Sequence, residues 1–358
     1  MERSDILGRV GSMQQLAYAR RIRYEEGRAA GMRAIEVKNG DVRFVAMEDK
    51  ALDVSEFEYR GVSLGFLSKP GLNGRNPFDT LSDDVVRSIM GGMFFTCGFE
   101  NIGAPYTDAE GKRYPLHGRI RTSPAEHVRA GAGWEGDDYA VTLSGEVREA
   151  ELFGENLVLR RTVSSRLGEA SIAVADEVVN EGFTPQPMMF MYHCNVGWPL
   201  LSESAEIVIP SIRVAPRDEA AARDEADWST VQAPVPDKPE SVFIHTLAAE
   251  PDGSTFASVA NPELGIALVL EFSVEEFPYF MQWKSMAAGD YVVGLEPSNS
   301  SILGRGHHEE RGDLHILQPQ ASEVKHLTVS AVEGREAIAR LRRRRDGLVR
   351  RGGIRPVL

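Results

Sequence analysis

Most of the chain alternates apolar and polar positions with a period of two. Between Ser171 and Asn180, Ile172, Val174 and Val178 fall on one side, and Ala173, Ala175 and Val179 on the other. From His326 to Val332, Leu327, Val329 and Ala331 oppose His326, Thr328 and Ser330. Similar short runs recur at 42–47, 57–67, 139–147, 157–164, 187–194, 207–214, 241–247, 265–273, 290–295 and 313–317. Successive side chains of a strand point to opposite faces, so this period predicts strands. Gly, Pro, Asn and Asp separate them, with 34 Gly and 19 Pro available as punctuation. About a dozen strands cut in this way predict an all-β fold, a large antiparallel sandwich or barrel. A parallel α/β sheet needs amphipathic helices of ~10–15 residues between its strands, and the middle of the chain offers none.

Helix is expected only at the edges. Met13 to Gly31 is polar and Arg-rich, and Gly334 to Gly347 carries Ile338 and Leu341 before Arg342-Arg-Arg-Arg345, ending on a glycine as helices often do. The chain therefore divides into an N-terminal, partly helical extension (1–40), a single β-sandwich domain (41–333) and a basic C-terminal helix and tail (334–358). Pro216 to Lys238 is rich in Ala, Asp, Glu and Pro, and reads as a solvent-exposed excursion or an insertion covering a cleft. No repeat with a period of 20–50 residues is present.

Composition narrows the function. An apolar share of 42% over 358 residues excludes intrinsic disorder. Forty Lys and Arg against 53 Asp and Glu leave a formal charge of −13, which repels phosphate backbones and argues against nucleic-acid partners. The Arg342–Arg345 run suits a helix C-terminus and a solvated face instead. Cys97 and Cys194 form neither a disulfide framework nor a Cys-x-x-Cys pair, which favours a reducing compartment. Met1 to Gln15 lacks the apolar core of a signal peptide, and no segment approaches the ~18 apolar residues of a spanning helix. The expectation is a soluble, cytoplasmic protein with no membrane partner. Pairing of two copies through an exposed sheet edge, a homodimer, stays open.

Several motif matches carry no chemistry. Gly61-Val-Ser-Leu-Gly65 fits the Gly-x-Ser-x-Gly pattern, but that elbow needs a helix after it, and Phe66-Leu-Ser-Lys-Pro-Gly-Leu-Asn-Gly74 cannot start one. Gly91-Gly92 lacks phosphate-binding spacing. His307-His308-Glu309-Glu310, read as extended chain, sends neighbouring side chains to opposite sides and makes a poor metal site. The Asn299-Ser-Ser301 sequon has no secretory context.

Three polar interruptions of apolar strands do point to chemistry. They are Leu116-His117-Gly118-Arg119-Ile120, the run Met188 to Pro199 with His193 and Asn195 at its apolar end, and Tyr291-Val-Val-Gly-Leu-Glu296-Pro297. A charged carboxylate in such a context is costly unless paired, hydrogen-bonded or working. A histidine acid with a carboxylate base is a usual pair for proton transfer on sugars and α to carbonyls.

The order His117-Gly, Tyr192-His193-Cys-Asn195 and Leu295-Glu296-Pro297 resembles the galactose mutarotase (aldose 1-epimerase) superfamily. Gly91 to Gly103, Leu116-His-Gly-Arg119, His193 to Leu200, Trp283-Lys284 and Gly289 to Pro297 resemble a bacterial branch of it. The likeness spans about Val42 to Val332. It implies a large antiparallel β-supersandwich and a carbohydrate substrate, with no metal and no cofactor. By resemblance His193 is the general acid and Glu296 the general base: an ionised Glu296 takes the anomeric hydroxyl proton while a protonated His193 gives one to the ring oxygen. His117 then holds a sugar hydroxyl. Candidate substrate contacts are Asn195, Trp283 (with Trp198 a second stacking surface), Asn101, and Asn73 with Arg75 as a substitute for the family's Asn-Arg pair. Arg119 and Lys284 add positive charge, which an anionic or oxidised sugar explains; an Arg119 pair with Glu126 or Glu296 explains it equally. The expected function is an isomerase that interconverts sugar anomers. Its alternatives are an isomerase or lyase taking a proton α to a carbonyl of a keto- or acidic sugar, and a non-catalytic carbohydrate-binding protein.

Overall fold

The computed structural model describes residues 2–74 and 84–352; the candidate Arg75 lies outside them. Three antiparallel sheets dominate. The eight-stranded sheet runs, in spatial order, Ala125–Glu135, Asp138–Ala150, Asn156–Arg166, Ser171–Asn180, Ser322–Glu333, Ile266–Ser273, Ser254–Asn261 and Glu206–Val208. The six-stranded sheet runs Ser211–Pro216, Ser241–Leu247, Tyr279–Ala287, Asp290–Ser298, Met189–Val196 and Phe94–Phe99. A five-stranded sheet is a meander of Ala17–Arg23, Arg33–Asn39, Val42–Met47, Asp53–Tyr59 and Val62–Ser63. The all-β expectation holds.

The alternation read from the sequence is what fills the core. Ile172, Val174 and Val178 join Phe94, Tyr192, Leu295 and Phe57 in one apolar cluster shared by the three sheets. The opposite face of the six-stranded sheet contributes Phe95, Cys97, Met189, Met191 and Met281 to a second cluster with Met32, Val45 and Met47.

Through the first core runs a buried polar knot. The Arg161 guanidinium donates to Asp176 (2.6 and 2.9 Å), to Asp53 Oδ1 (2.7 Å), to Thr96 Oγ1 (2.8 Å) and to the Ala51 carbonyl (2.9 Å). Thr96 Oγ1 donates to Asp53 (2.7 Å) and the Tyr192 hydroxyl to Asp176 (2.7 Å). Arg161 and Asp176 belong to the eight-stranded sheet, Asp53 to the five-stranded, Thr96 and Tyr192 to the six-stranded. All three sheets thus meet on one cation whose side chain is fully buried.

Two expectations are corrected. Residues 13–31 are not a helix: a short 3₁₀ turn at Met13–Gln15 leads into the strand Ala17–Arg23. Only Ala17 of that strand is buried, while Arg21 reaches Glu48 and the Val128 carbonyl, so the apolar period that marks a strand is missing. The helix Arg335–Arg351 does form, four residues past Gly347, and Ile338, Leu341 and Leu348 seat it on the outer side of the eight-stranded sheet. Its arginines are tied down locally: Arg342 to Glu206, Arg344 to Glu271, Arg351 to Glu250. Among the described residues no helix is long and apolar enough to cross a membrane.

Replacing Arg161 with Met strands two buried carboxylates. Urea unfolding is expected to show a loss of about 3–5 kcal/mol, and a loss below about 1 kcal/mol would mean that the knot is not what joins the sheets.

Candidate active site

Strand alternation sorts the Met189–Val196 strand into two sets. Phe190, Tyr192 and Cys194 face the eight-stranded sheet; Met191, His193 and Asn195 face away from it. The neighbouring strand, in register Cys194 to Leu295 and Asn195 to Gly294, puts Gly294 and Glu296 on the same face as His193. The next strand adds Trp283, opposite Gly294. These side chains floor a cleft of about 710 Å³, walled by Phe66, Pro70, Ile89, Leu116 and Ile302.

On that floor His193 Nε2 stands 3.3 Å from Glu296 Oε1. The His193 ring lies flat on Phe95 (centroids 4.5 Å apart, 19° between planes) and edge-on to Trp283 at 5.4 Å. Gly294 keeps this centre open, since a Cβ there would sit 2.6 Å from Glu296 Oε1 and 3.3 Å from His193 Cε1. His117 comes from a loop rather than a strand. It adopts φ 58°, with the next residue, Gly118, packed on the Gly98 carbonyl where a Cβ has no room. Its ring stands perpendicular to His193 at 5.5 Å. His117 Nδ1 accepts the Gly103 N–H (3.4 Å), which leaves Nε2 as the protonated nitrogen.

Burial governs the charges. Desolvation pushes the His193 imidazole down to about 4 and the Glu296 carboxyl up to about 8, the latter reinforced by the negative charge of Glu240 and opposed by Arg217. His117 is held well below its ordinary value by the same desolvation, with His193, Arg121 and Arg217 adding repulsion. Burial thus favours a protonated carboxyl beside a neutral imidazole, whereas the resemblance implies the ion pair. The two arrangements have the same net charge and differ by one proton moved between Glu296 and His193.

Of the expected contacts, His117, His193, Asn195, Trp283 and Glu296 line one cleft. Arg119 does not: its guanidinium pairs with Glu100, neither of the partners considered, and donates to the Arg113 carbonyl. Lys284 follows Trp283 on a strand, so it points to the opposite face, where Nζ donates to the Asp227 carbonyl (2.7 Å). The Asn101 amide is consumed by the Ala104 and Pro115 carbonyls and the Arg305 N–H, and braces the loop under His117. Trp198 is exposed and outside the cleft lining. The positive charge of Arg119 and Lys284 is thus not part of the cleft lining. His307 and His308 lie on a helix, Gly304–Arg311, not on extended chain; His308 is buried against Ser301 and Asp313.

Two lining residues escaped the sequence reading. Arg217, at the start of the 216–238 excursion, and Glu240, just past its end, bond to each other (3.1 Å), and Glu240 also accepts the Trp283 indole N–H (2.8 Å). Charged residues at strand ends were the signal that found Glu296, and the same signal marks both. The excursion itself does not lie free. Its Trp228 carbonyl accepts from Gln282, whose Oε1 bonds His245, and its Gln232 carbonyl accepts from Tyr291.

A family model described as a domain of unknown function (DUF4432) matches residues 29–331. The chain belongs to that family. A provisionally named aldose 1-epimerase from Klebsiella pneumoniae has a similar structure, at 23% identity, covering 92% of this chain and 87% of that one, with a TM-score of 0.86. A galactose mutarotase-like protein from Clostridium acetobutylicum (14% identity, 89% and 99% covered, TM-score 0.60) and a galactose 1-epimerase from Lactobacillus acidophilus (12%, 89% and 99%, 0.56) are similar too. These likenesses establish the fold, a galactose mutarotase-like supersandwich. No curated protein matches the sequence.

Three buried imidazoles also set a stability profile. His245 is pushed down to about 3 and His193 to about 4 by desolvation, with His117 lowered in the same way. Each binds its proton more weakly folded than unfolded, where the value is about 6.5. Their contribution is complete above pH of about 6.5 and is lost as pH falls toward the folded values. Glu296 and Glu149, held above their ordinary values by burial, bind protons on folding and oppose this loss, so the histidine share is read by comparison. Between about pH 6.5 and about pH 4 the urea midpoint of the unmodified protein is expected to lose more than that of His245→Gln, and equal changes in both would contradict the burial of a neutral His245.

Proposed function

We propose that this protein is an isomerase of the aldose 1-epimerase type that interconverts the anomers of a neutral free sugar. The observation that carries the reading is His193 Nε2 at 3.3 Å from Glu296 Oε1 on the floor of a sugar-sized cleft. The names of the structurally similar proteins support it. Glu296, as carboxylate, takes the proton of the anomeric hydroxyl. The bond from the anomeric carbon to the ring oxygen breaks, its electron pair staying on that oxygen, which receives a proton from His193 Nε2. The open aldehyde rotates about its C1–C2 bond and recloses with the two roles exchanged. A sugar hydroxyl donating to Glu296 favours the carboxylate, so binding itself moves the resting proton to the imidazole. His117 offers an N–H to a substrate oxygen, and the apolar walls suit the carbon face of a pyranose.

Proton roles of this kind are each worth about 10²–10⁴ in rate. Polarimetry or NMR anomer exchange over a panel of neutral sugars should find a substrate, with Glu296→Gln and His193→Ala each slower by that factor and still folded. Undiminished exchange in both variants would remove the assignment, and solvent deuterium appearing on carbon would redirect it to proton abstraction beside a carbonyl.

The pH profile is expected to be a bell. Below about 4 both groups hold protons and no base remains; above about 8 neither does and no acid remains. The two limbs belong to the pair rather than to either residue alone. A profile rising monotonically from pH 4 to pH 9 would contradict this arrangement.

A further inference from the structure

A general acid or base is commonly aimed by a third group on its far nitrogen, which chooses the tautomer. His193 Nε2 is turned to Glu296, and Nδ1 lies buried with no well-formed hydrogen bond among the described residues. Two positions along the same strand face, the Asn195 amide is pinned in one orientation: its Nδ2 donates to the Gly92 carbonyl (3.2 Å) and to the His193 carbonyl (2.8 Å). That leaves Oδ1 as its free end, also buried and without a well-formed bond among the described residues. One buried donor and one buried acceptor, neighbours on one strand face, are each left over. Orphans of this kind are costly unless they serve each other or a ligand.

We infer that Asn195 is the positioning residue of the pair: its Oδ1 accepts the proton on His193 Nδ1, which leaves Nε2 as the nitrogen that exchanges a proton with Glu296 and the sugar. This rests on the proposed acid–base role of His193 and Glu296. Asn195 and the His193 carbonyl are the two groups that favour the protonated ring against its burial, which agrees with an acceptor behind Nδ1. The other titratable groups lining the cleft are His117 from its loop, Arg217 and Glu240 from the sheet edge, and Asp290, which pairs with Lys69, and none of them is on the Asn195 strand. Asn195 takes no proton itself. It makes the resting imidazole an Nδ1–H tautomer and steadies the imidazolium that forms when Glu296 gives up its proton.

The test uses the full chain with nitrogen-15 histidine, the His193 signals being assigned by their loss in His193→Gln. At neutral pH, long-range proton–nitrogen spectra should show His193 protonated on Nδ1, the minor tautomer of imidazole in water. Asn195→Leu should lose that preference, lower kcat by about 10–100-fold, the usual cost of removing an orienting group behind a histidine, with KM changed far less, and move the acid limb of the pH profile down. Asn195→Asp, which keeps an acceptor and adds charge, should move that limb up. An Nε2–H tautomer in the unmodified protein, or an unchanged tautomer in Asn195→Leu, overturns the inference. The spectra need no substrate, so absence of sugar turnover would count against the proposed reaction while the tautomer still decides the role of Asn195.

Discussion

The Arg161 guanidinium is the constraint on which the other features rest. A cation with no exposed side-chain surface is tolerable only if its donors are met. Here they are met by two carboxylates, a hydroxyl and a carbonyl drawn from all three sheets. The knot has a consequence for the cleft, because its members Thr96 and Tyr192 are each one residue from a cleft residue. Tyr192 points inward to Asp176, so His193 must point outward; Thr96 points inward to Asp53, so Phe95 must lie beneath the His193 ring. Slipping either strand by one residue would break the knot and turn the site inside out.

The floor of the cleft is chemically the reverse of its underside. Behind the sheet, opposite charges neutralise one another at fixed distances. In front, burial works against charge instead: it favours the protonated carboxyl and the neutral imidazole. The neutral pair and the ion pair interconvert without a proton from solvent, since the proton has only to cross between Glu296 and His193. Gly294 leaves that short path uncovered on the cleft side.

Much of this was legible along the chain, and the failures have specific causes. The strands with one face in the core declared themselves by alternation, as Ser171–Asn180 does. Phe94–Phe99 and Tyr279–Ala287 are buried on both faces and show no alternation, while Ala17–Arg23 and Ala125–Glu135 are mostly exposed and lack the apolar half of the pattern. His193 and Glu296 stood out because an ionisable group among apolar neighbours is anomalous in any fold. Arg119 and Lys284 stood out only as positive charge adjoining the resembling motifs, and their partners are Glu100 and a carbonyl of the excursion. Nearness in sequence to a site residue does not carry direction: Lys284 adjoins Trp283 and therefore faces the other way.

Local sequence, by itself, determined which segments extend, where they turn and which side chains are anomalous where they lie, because those properties depend on period and solvation within a few residues. The pairing of strands far apart in the chain was decided only in three dimensions. It set which anomalous groups share a cavity, which are neutralised out of reach of it, and which form of the His193–Glu296 pair is at rest. Distances between strands and the exclusion of water from between them fix those outcomes, and neither quantity is a property of any short stretch of the chain.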